Sequence, residues 1–126
     1  MMKQLFQCIR SQKRRVVEAA LKHFAAPLHS LHAWLGPAIG PNNFVVGDDV
    51  KVAMEHLNPI HLQSFKAYKD RWLLDLLTLV RNELNQLGVQ HVTSSNLCTV
   101  ENSDNFFSYR RDGVTGRMAS LLWIAA

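Results

Sequence analysis

Trp72, Leu73, Leu76, Leu77, Val80, Leu84 and Leu87 recur at helical spacing, and Gly88 stands where a helix C-terminal cap belongs. The pattern predicts an amphipathic helix over residues 72–87 with a wide apolar stripe. Burying each of its leucines contributes ~1.5–3 kcal/mol, so the helix must be packed against other elements. Its role is to build a core, and it presents no chemistry of its own.

The other elements are arranged around that helix. Val16, Val17, Ala20, Leu21 and Phe24 define an earlier amphipathic helix from about Ser11 to Phe24, with Pro27 just beyond it. Leu31–Leu35 reads as a short buried strand stopped by Gly36-Pro37. Residues 36–43, with two Gly, two Pro and two Asn, form a turn-rich loop. Phe44–Val46 is short and apolar. Gly47-Asp48-Asp49 then places an Asp to cap a helix over Val50–Leu57. His56 and His61 are separated by five positions and by Pro59, so they do not share a helix face and read as surface histidines. Val89–Val92 reads as a strand, residues 93–105 as a polar loop, and Met118–Ile124, with Trp123, as a final apolar strand. Helices alternating with short apolar strands mean α/β or α+β.

At 126 residues the chain fits one domain, and 48% hydrophobic residues argue for a globular core. The two cysteines, Cys8 and Cys98, are ninety positions apart, which supports neither a disulfide framework nor a Cys-x-x-Cys zinc site and suits a reducing cytosol. No apolar run is long enough for a membrane span, and Met1–Arg10 is a poor signal peptide. The expectation is a soluble cytoplasmic protein. The net charge of +4 divides into +5 over residues 1–15, −3 over 16–109 and +2 thereafter. The basic excess is an end effect. Lys13-Arg14-Arg15 could meet nucleic acid through counterion release, but without interleaved aromatics a solvated helix start is the simpler reading, and nucleic acid is disfavoured as a partner.

Two segments carry chemistry. Gly36 and Gly40, in the loop Trp34-Leu35-Gly36-Pro37-Ala38-Ile39-Gly40-Pro41, allow backbone conformations closed to other residues and close approach of a ligand; a tight turn is the simpler account. Arg110, Arg111 and Arg117 crowd into eight residues with Asp112 as the nearby acid. Such forks can grip phosphate or carboxylate. They can equally form surface ion pairs, or bury against carbonyls to hold the terminal strand. Cys98 beside Leu97 reads as a small buried hydrophobe rather than a nucleophile.

These segments, with Phe44 and Val46-Gly47-Asp48, Leu74-Asp75-Leu76, Leu87-Gly88-Val89, Leu97-Cys98-Thr99, Phe106-Phe107-Ser108-Tyr109-Arg110-Arg111-Asp112-Gly113 and Thr115-Gly116-Arg117-Met118-Ala119-Ser120, resemble the C-terminal half of the YfiH-type purine nucleoside phosphorylase family, long called laccase-like or polyphenol oxidase. The resemblance covers about residues 10–124, leaving 1–10 as a divergent start to a single partial domain. It implies an α+β fold, an α-β sandwich similar to the catalytic domain of the cytotoxic necrotising factors. It implies phosphorolysis of adenosine, inosine or methylthioadenosine, and deamination of adenosine. Gly36, Gly40, Arg110, Arg111 and Arg117 then become candidates for binding nucleoside and phosphate. It also implies a metal, zinc or by the older naming copper, held by two histidines and a cysteine.

The ligands are where the chain departs from the family. The family's first histidine and its cysteine lie upstream of the matched region. The third opens a His-Ala-Gly-Trp-Arg-Gly segment that falls, without gaps, on Phe6-Gln7-Cys8-Ile9-Arg10-Ser11, where only Arg10 matches. Catalytic zinc takes three protein ligands and lowers the pKa of its water to about 7, so no bound metal and no turnover are expected of this chain. Asn42 and Val45 also replace a cysteine and a glutamate common in relatives. An uncovered apolar face would favour a homo-oligomer. A non-catalytic nucleoside- or phosphate-binding module, and a truncated or frameshifted reading, are the alternatives.

Overall fold

A computed structural model describes residues 15–120, with side chains from Val17 onward. The basic start Lys3–Arg14, Cys8, the segment Phe6–Ser11 and Trp123 lie outside them. The elements, in chain order, are α1 (Arg15–Leu21), β1 (His32–Leu35), β2 (Val45–Val46), α2 (Asp48–Leu57), β3 (Phe65–Tyr68), β4 (Arg71–Leu74), α3 (Leu76–Gln86), β5 (His91–Ser94) and α4 (Tyr109–Asp112), with 3-10 turns at Leu28–Ser30 and Pro59–Ser64. The class is α+β: an antiparallel sheet of order β2-β4-β3, and a separate parallel pair β1-β5.

The strongest sequence signal divides into two elements. Residues 71–74 form a strand paired with Val45–Val46 on one side and Phe65–Tyr68 on the other. The helix begins only at Leu76. Asp75 causes the break: its Oδ1 accepts the Thr78 N–H at 3.0 Å and its Oδ2 accepts the Thr78 hydroxyl at 2.8 Å, an N-cap that starts the helix there. The far end matches expectation. Gly88 adopts φ 101°, its N–H reaches the Asn85 carbonyl at 3.1 Å, and Val89 N–H reaches Leu84 at 3.0 Å. This pair of bonds satisfies carbonyls that would otherwise be orphaned at the helix end.

Other expectations need correction. α2 begins at Asp48, with Gly47 at its N-cap and no side-chain cap bond; Asp48 instead accepts Trp72 Nε1–H at 2.6 Å, and both acids sit in the first turn, where the helix dipole favours them. β1 is not a buried strand, because His32 and Trp34 are exposed on one face. His56 is exposed, but His61 is buried, with Nε2 3.2 Å from Glu83 Oε2 on α3. Asn58 Oδ1 accepts the Ile60 N–H and starts the 3-10 turn that aims His61 inward. The strand near the C-terminus is absent over residues 118–120, and the rest of that expectation lies outside the described residues.

The core comprises Ile39, Phe44, Val46, Met54, Leu74, Leu76 and Leu79, which joins loop 36–44, α2, the antiparallel sheet and the first turns of α3. Phe44 and Leu74 are fully buried, and Leu74 N–H donates to the Phe44 carbonyl at 2.9 Å, extending the β2-β4 ladder by one rung. Loop 36–44 is thereby fixed at its far end by the core. No helix among the described residues is long and apolar enough to cross a membrane.

Candidate functional site

Two loops with little regular structure meet beside this core. Ala38 and Cys98 form an isolated parallel bridge, in which Ala38 N–H donates to Leu97 O at 3.3 Å and Thr99 N–H to Ala38 O at 3.0 Å. The bridge locks residues 36–43 to residues 97–99. Cys98 is buried, as read from the sequence. Its sulfur accepts the Gly40 N–H at 3.2 Å and Asn43 Nδ2–H at 3.5 Å.

Arg111 holds the second loop. All five of its N–H donors have acceptors: Nη1 donates to Thr99 O at 2.9 Å and Val100 O at 3.1 Å, Nη2 to Phe106 O at 3.0 Å and Asp112 Oδ2 at 2.7 Å, and Nε to Asp112 Oδ1 at 2.8 Å. Hydrogen bonding to Arg111 lowers the Asp112 carboxyl below its ordinary value, and the same bond raises the guanidinium. Ser108, buried, caps α4 by accepting Arg111 N–H at 3.3 Å.

With the loop so fixed, a cavity of about 330 Å³ opens between the two segments, within the range that holds small ligands (~300–1,000 Å³). Ala38, Ile39 and Leu76 supply its apolar floor, Phe107, Tyr109 and Met118 its apolar walls, and Arg110 and Arg117 its charge. No acidic side chain lines it. Arg110 spends one donor on Val45 O at 2.9 Å, with its guanidinium 5.3 Å above the Phe44 ring. Arg117 is exposed and makes no hydrogen bond or ion pair among the described residues. Two positive charges without a counter-acid make this cavity attractive to an anion.

The five residues singled out from the sequence are thus distributed. Arg110 and Arg117 line the cavity; Arg111 lies behind it with its donors occupied. Gly40 lines a second cleft of about 260 Å³ with Cys98, Asp75, Arg81 and Glu101, and Gly36 lines neither. Neither glycine has positive φ; among the described residues the left-handed glycines are Gly88 and Gly113. The glycine demanded by the cavity is Gly116, which the sequence reading passed over. A Cβ there would lie 2.8 Å from the Phe107 ring, so the ring packs close against bare backbone. Thr99 was also missed; it is buried and tied into the Ala38 bridge.

No group of three or more His, Cys, Asp or Glu among the described residues could hold a metal ion. Cys98 is occupied by Gly40 and Asn43, His61 by Glu83, and His32 stacks on His91 with ring centroids 4.6 Å apart.

The sequence model of the family described as "Multi-copper polyphenol oxidoreductase laccase" matches residues 9–125. The Escherichia coli protein named "Purine nucleoside phosphorylase YfiH" is 39% identical over 109 residues, covering 86% of this chain and 45% of that protein. A Haemophilus influenzae purine nucleoside phosphorylase is 39% identical over 111 residues, covering 86% and 46% respectively. Among solved structures, a Neisseria meningitidis protein superposes with TM-score 0.74 at 37% identity, over 79% of this chain and 41% of that one. The Bacillus licheniformis YfiH protein gives 0.69 at 26% identity, over 79% and 39%. The chain spans less than half the length of these relatives.

Proposed function

Because the chain belongs to the multi-copper polyphenol oxidoreductase laccase family, as part of a YfiH-type domain, we propose that it supplies a nucleoside- and phosphate-recognising portion of a purine nucleoside phosphorylase. The observation that carries this reading is the cavity in which Arg110 and Arg117 stand without an acid, next to Tyr109, Phe107 and Met118. Positive and apolar groups side by side suit a ligand that combines an anion with a flat aromatic base. Phosphate would lie on the guanidiniums of Arg110 and Arg117, and the purine against the apolar wall and floor. Arg111 would act as a positioning residue, fixing the loop that presents its neighbour Arg110. Gly36 and Gly40 would serve by shaping the loop that supplies Ile39.

In phosphorolysis a phosphate oxygen bonds to the ribose anomeric carbon as the carbon–nitrogen bond to the purine breaks. The bonding pair and one proton go to the base. The arginines would orient the phosphate dianion for that approach and offset its charge. Adenosine, inosine and methylthioadenosine are the proposed nucleosides. Adenosine deamination is the further proposed activity. The zinc or copper expected of the family does not fit the donor sets among the described residues, so no step is routed through it. We propose that this chain alone binds without turnover, as a non-catalytic nucleoside- and phosphate-binding module would.

The test is calorimetric titration of the 126-residue chain with inosine and with inorganic phosphate, alongside chromatographic assay of hypoxanthine release. Binding is expected to weaken about tenfold in Arg110→Ala and in Arg117→Ala, the loss of one charge-assisted contact. No hypoxanthine above background is expected. Unchanged binding in both variants would remove the site assignment, and measurable hypoxanthine would remove the statement that this chain is inactive.

A further inference from the structure

Among the described residues, the parallel pair β1-β5 is covered on one side only. Its register sets His32 beside His91 and Trp34 beside Thr93, and all four side chains are exposed. The alternate residues, Ala33, Leu35, Val92 and Ser94, are half-buried, and α3 packs against β5. Parallel strands are ordinarily covered on both faces, and two strands alone are marginal in water. Trp34 nevertheless keeps 59% of its surface exposed. Before this sheet in the chain, Val17 on α1 is 45% exposed, and Phe24, in the segment after α1, is 58% exposed.

The relatives of known structure extend well beyond the portion they share with this chain. In the Neisseria structure the portion shared with this chain is 41% of a longer polypeptide and keeps the same arrangement. More than half of that protein therefore lies outside the shared portion. We infer that the His32–His91 and Trp34–Thr93 face of the β1-β5 pair is the seam on which the remaining half of a family domain packs. The occupant is that complementary half, whether joined to this polypeptide or supplied by another. Trp34 is the anchor, since large aromatic side chains at the centre of such faces dominate association. Among the described residues no further strand pairs with either edge of β1-β5, which leaves its outer edges to template further strands.

This inference rests on family membership and not on the nucleoside site, and its readout is assembly rather than activity. The 126-residue chain is co-expressed with the part of the Escherichia coli relative that lies outside the matched segment, and the products are analysed by sedimentation and hydrogen exchange. The expected result is a 1:1 complex in which amides 32–35 and 91–94 exchange at least about tenfold more slowly than in the chain alone. Trp34→Lys should weaken that complex by about tenfold or more. The same variant should leave the thermal midpoint of the isolated chain unchanged, because Trp34 is largely exposed in it. The inference is overturned by no joint species, by a complex protected only elsewhere, or by a Trp34→Lys complex as tight as the parent. Self-association of two copies in preference to the mixed complex would assign the face to a homodimer and overturn it too.

Discussion

Arg111 and Asp112, adjacent in the chain, face each other fork to carboxylate, with Nε–Oδ1 at 2.8 Å and Nη2–Oδ2 at 2.7 Å. Neighbouring side chains rarely pair this way unless the backbone between them is curled. Here α4, one turn long and capped by Ser108, supplies the curl. The pairing orients the guanidinium so that its remaining three donors reach three main-chain carbonyls.

Replacing Arg111 should therefore loosen a loop. Arg111→Lys keeps the charge but loses the planar fork, and Arg111→Ala loses both. Thermal melts should rank the parent above Lys and Lys above Ala. Hydrogen exchange should show amides 99–106 opening first. Equal midpoints for all three would show that the carbonyls find water at no cost.

The same pair has a pH signature. The Asp112 carboxyl is lowered in the folded state by its bond to Arg111, so its contribution is present above the unfolded carboxylate pKa and fades as pH falls through the folded value, below about pH 4. The Arg111 shift is upward, so its contribution is present below the unfolded guanidinium value and lost only in strong alkali. Urea midpoints should fall more steeply towards acid for the parent than for Asp112→Asn. The difference will be modest, since both side chains still reach solvent, 24% of Arg111 and 36% of Asp112, and parallel acid limbs would remove the linkage.

Asp75 illustrates what could and could not be read in advance. The stripe Trp72–Leu87 was legible as apolar and its end at Gly88 was legible from glycine's tolerance of positive φ. The boundary at Asp75 was not, because Trp72, Leu73 and Leu76 suit a buried strand running into a helix as well as one helix. Only pairing with Val45–Val46 and Phe65–Tyr68, distant in sequence, decides it. His61 was misread for a related reason: Pro59 breaks one register but starts another. Arg110 and Arg117 were legible as a charge cluster, whereas the full occupation of Arg111 by Thr99, Val100 and Phe106 is a tertiary fact. Asp75→Ala should cost about 1 kcal/mol by removal of a helix cap, measured by urea unfolding, and a loss below about 0.3 kcal/mol would mean that water replaces the cap.

Leu74 bears on the core directly. It is fully buried beneath Phe44 and Met54 in one cluster, so Leu74→Ala should cost about 2–5 kcal/mol. Leu73→Ala, on the opposite face of the strand and only half-buried, should cost less. Equal losses would contradict the observed strand and restore the uninterrupted helix.

Gly116 separates cavity shape from stability. A methyl at this position meets the Phe107 ring at 2.8 Å, and with that ring 53% exposed an outward shift of the ring is the expected response. Gly116→Ala should shift stability by less than about 0.5 kcal/mol. Affinity for inosine should fall several-fold because the apolar wall has moved. Loss of stability with affinity intact would place the glycine's importance in folding alone.

The clasp of Arg111 has a practical side. Loop 99–106 is held by one side chain gripping Thr99, Val100 and Phe106, by Asn102, whose Nδ2 donates to Cys98 O at 2.9 Å, and by main-chain bonds from Asn102 to Cys98 and from Phe106 to Asn102. Ser103 and Asp104 lie between these grips, exposed and outside every hydrogen bond identified in the loop. The tip is therefore a stretch whose spelling is free while its outline is not. An epitope or a fluorescent amino acid could be written there as a label a few residues from the cavity wall, leaving the wall itself in place.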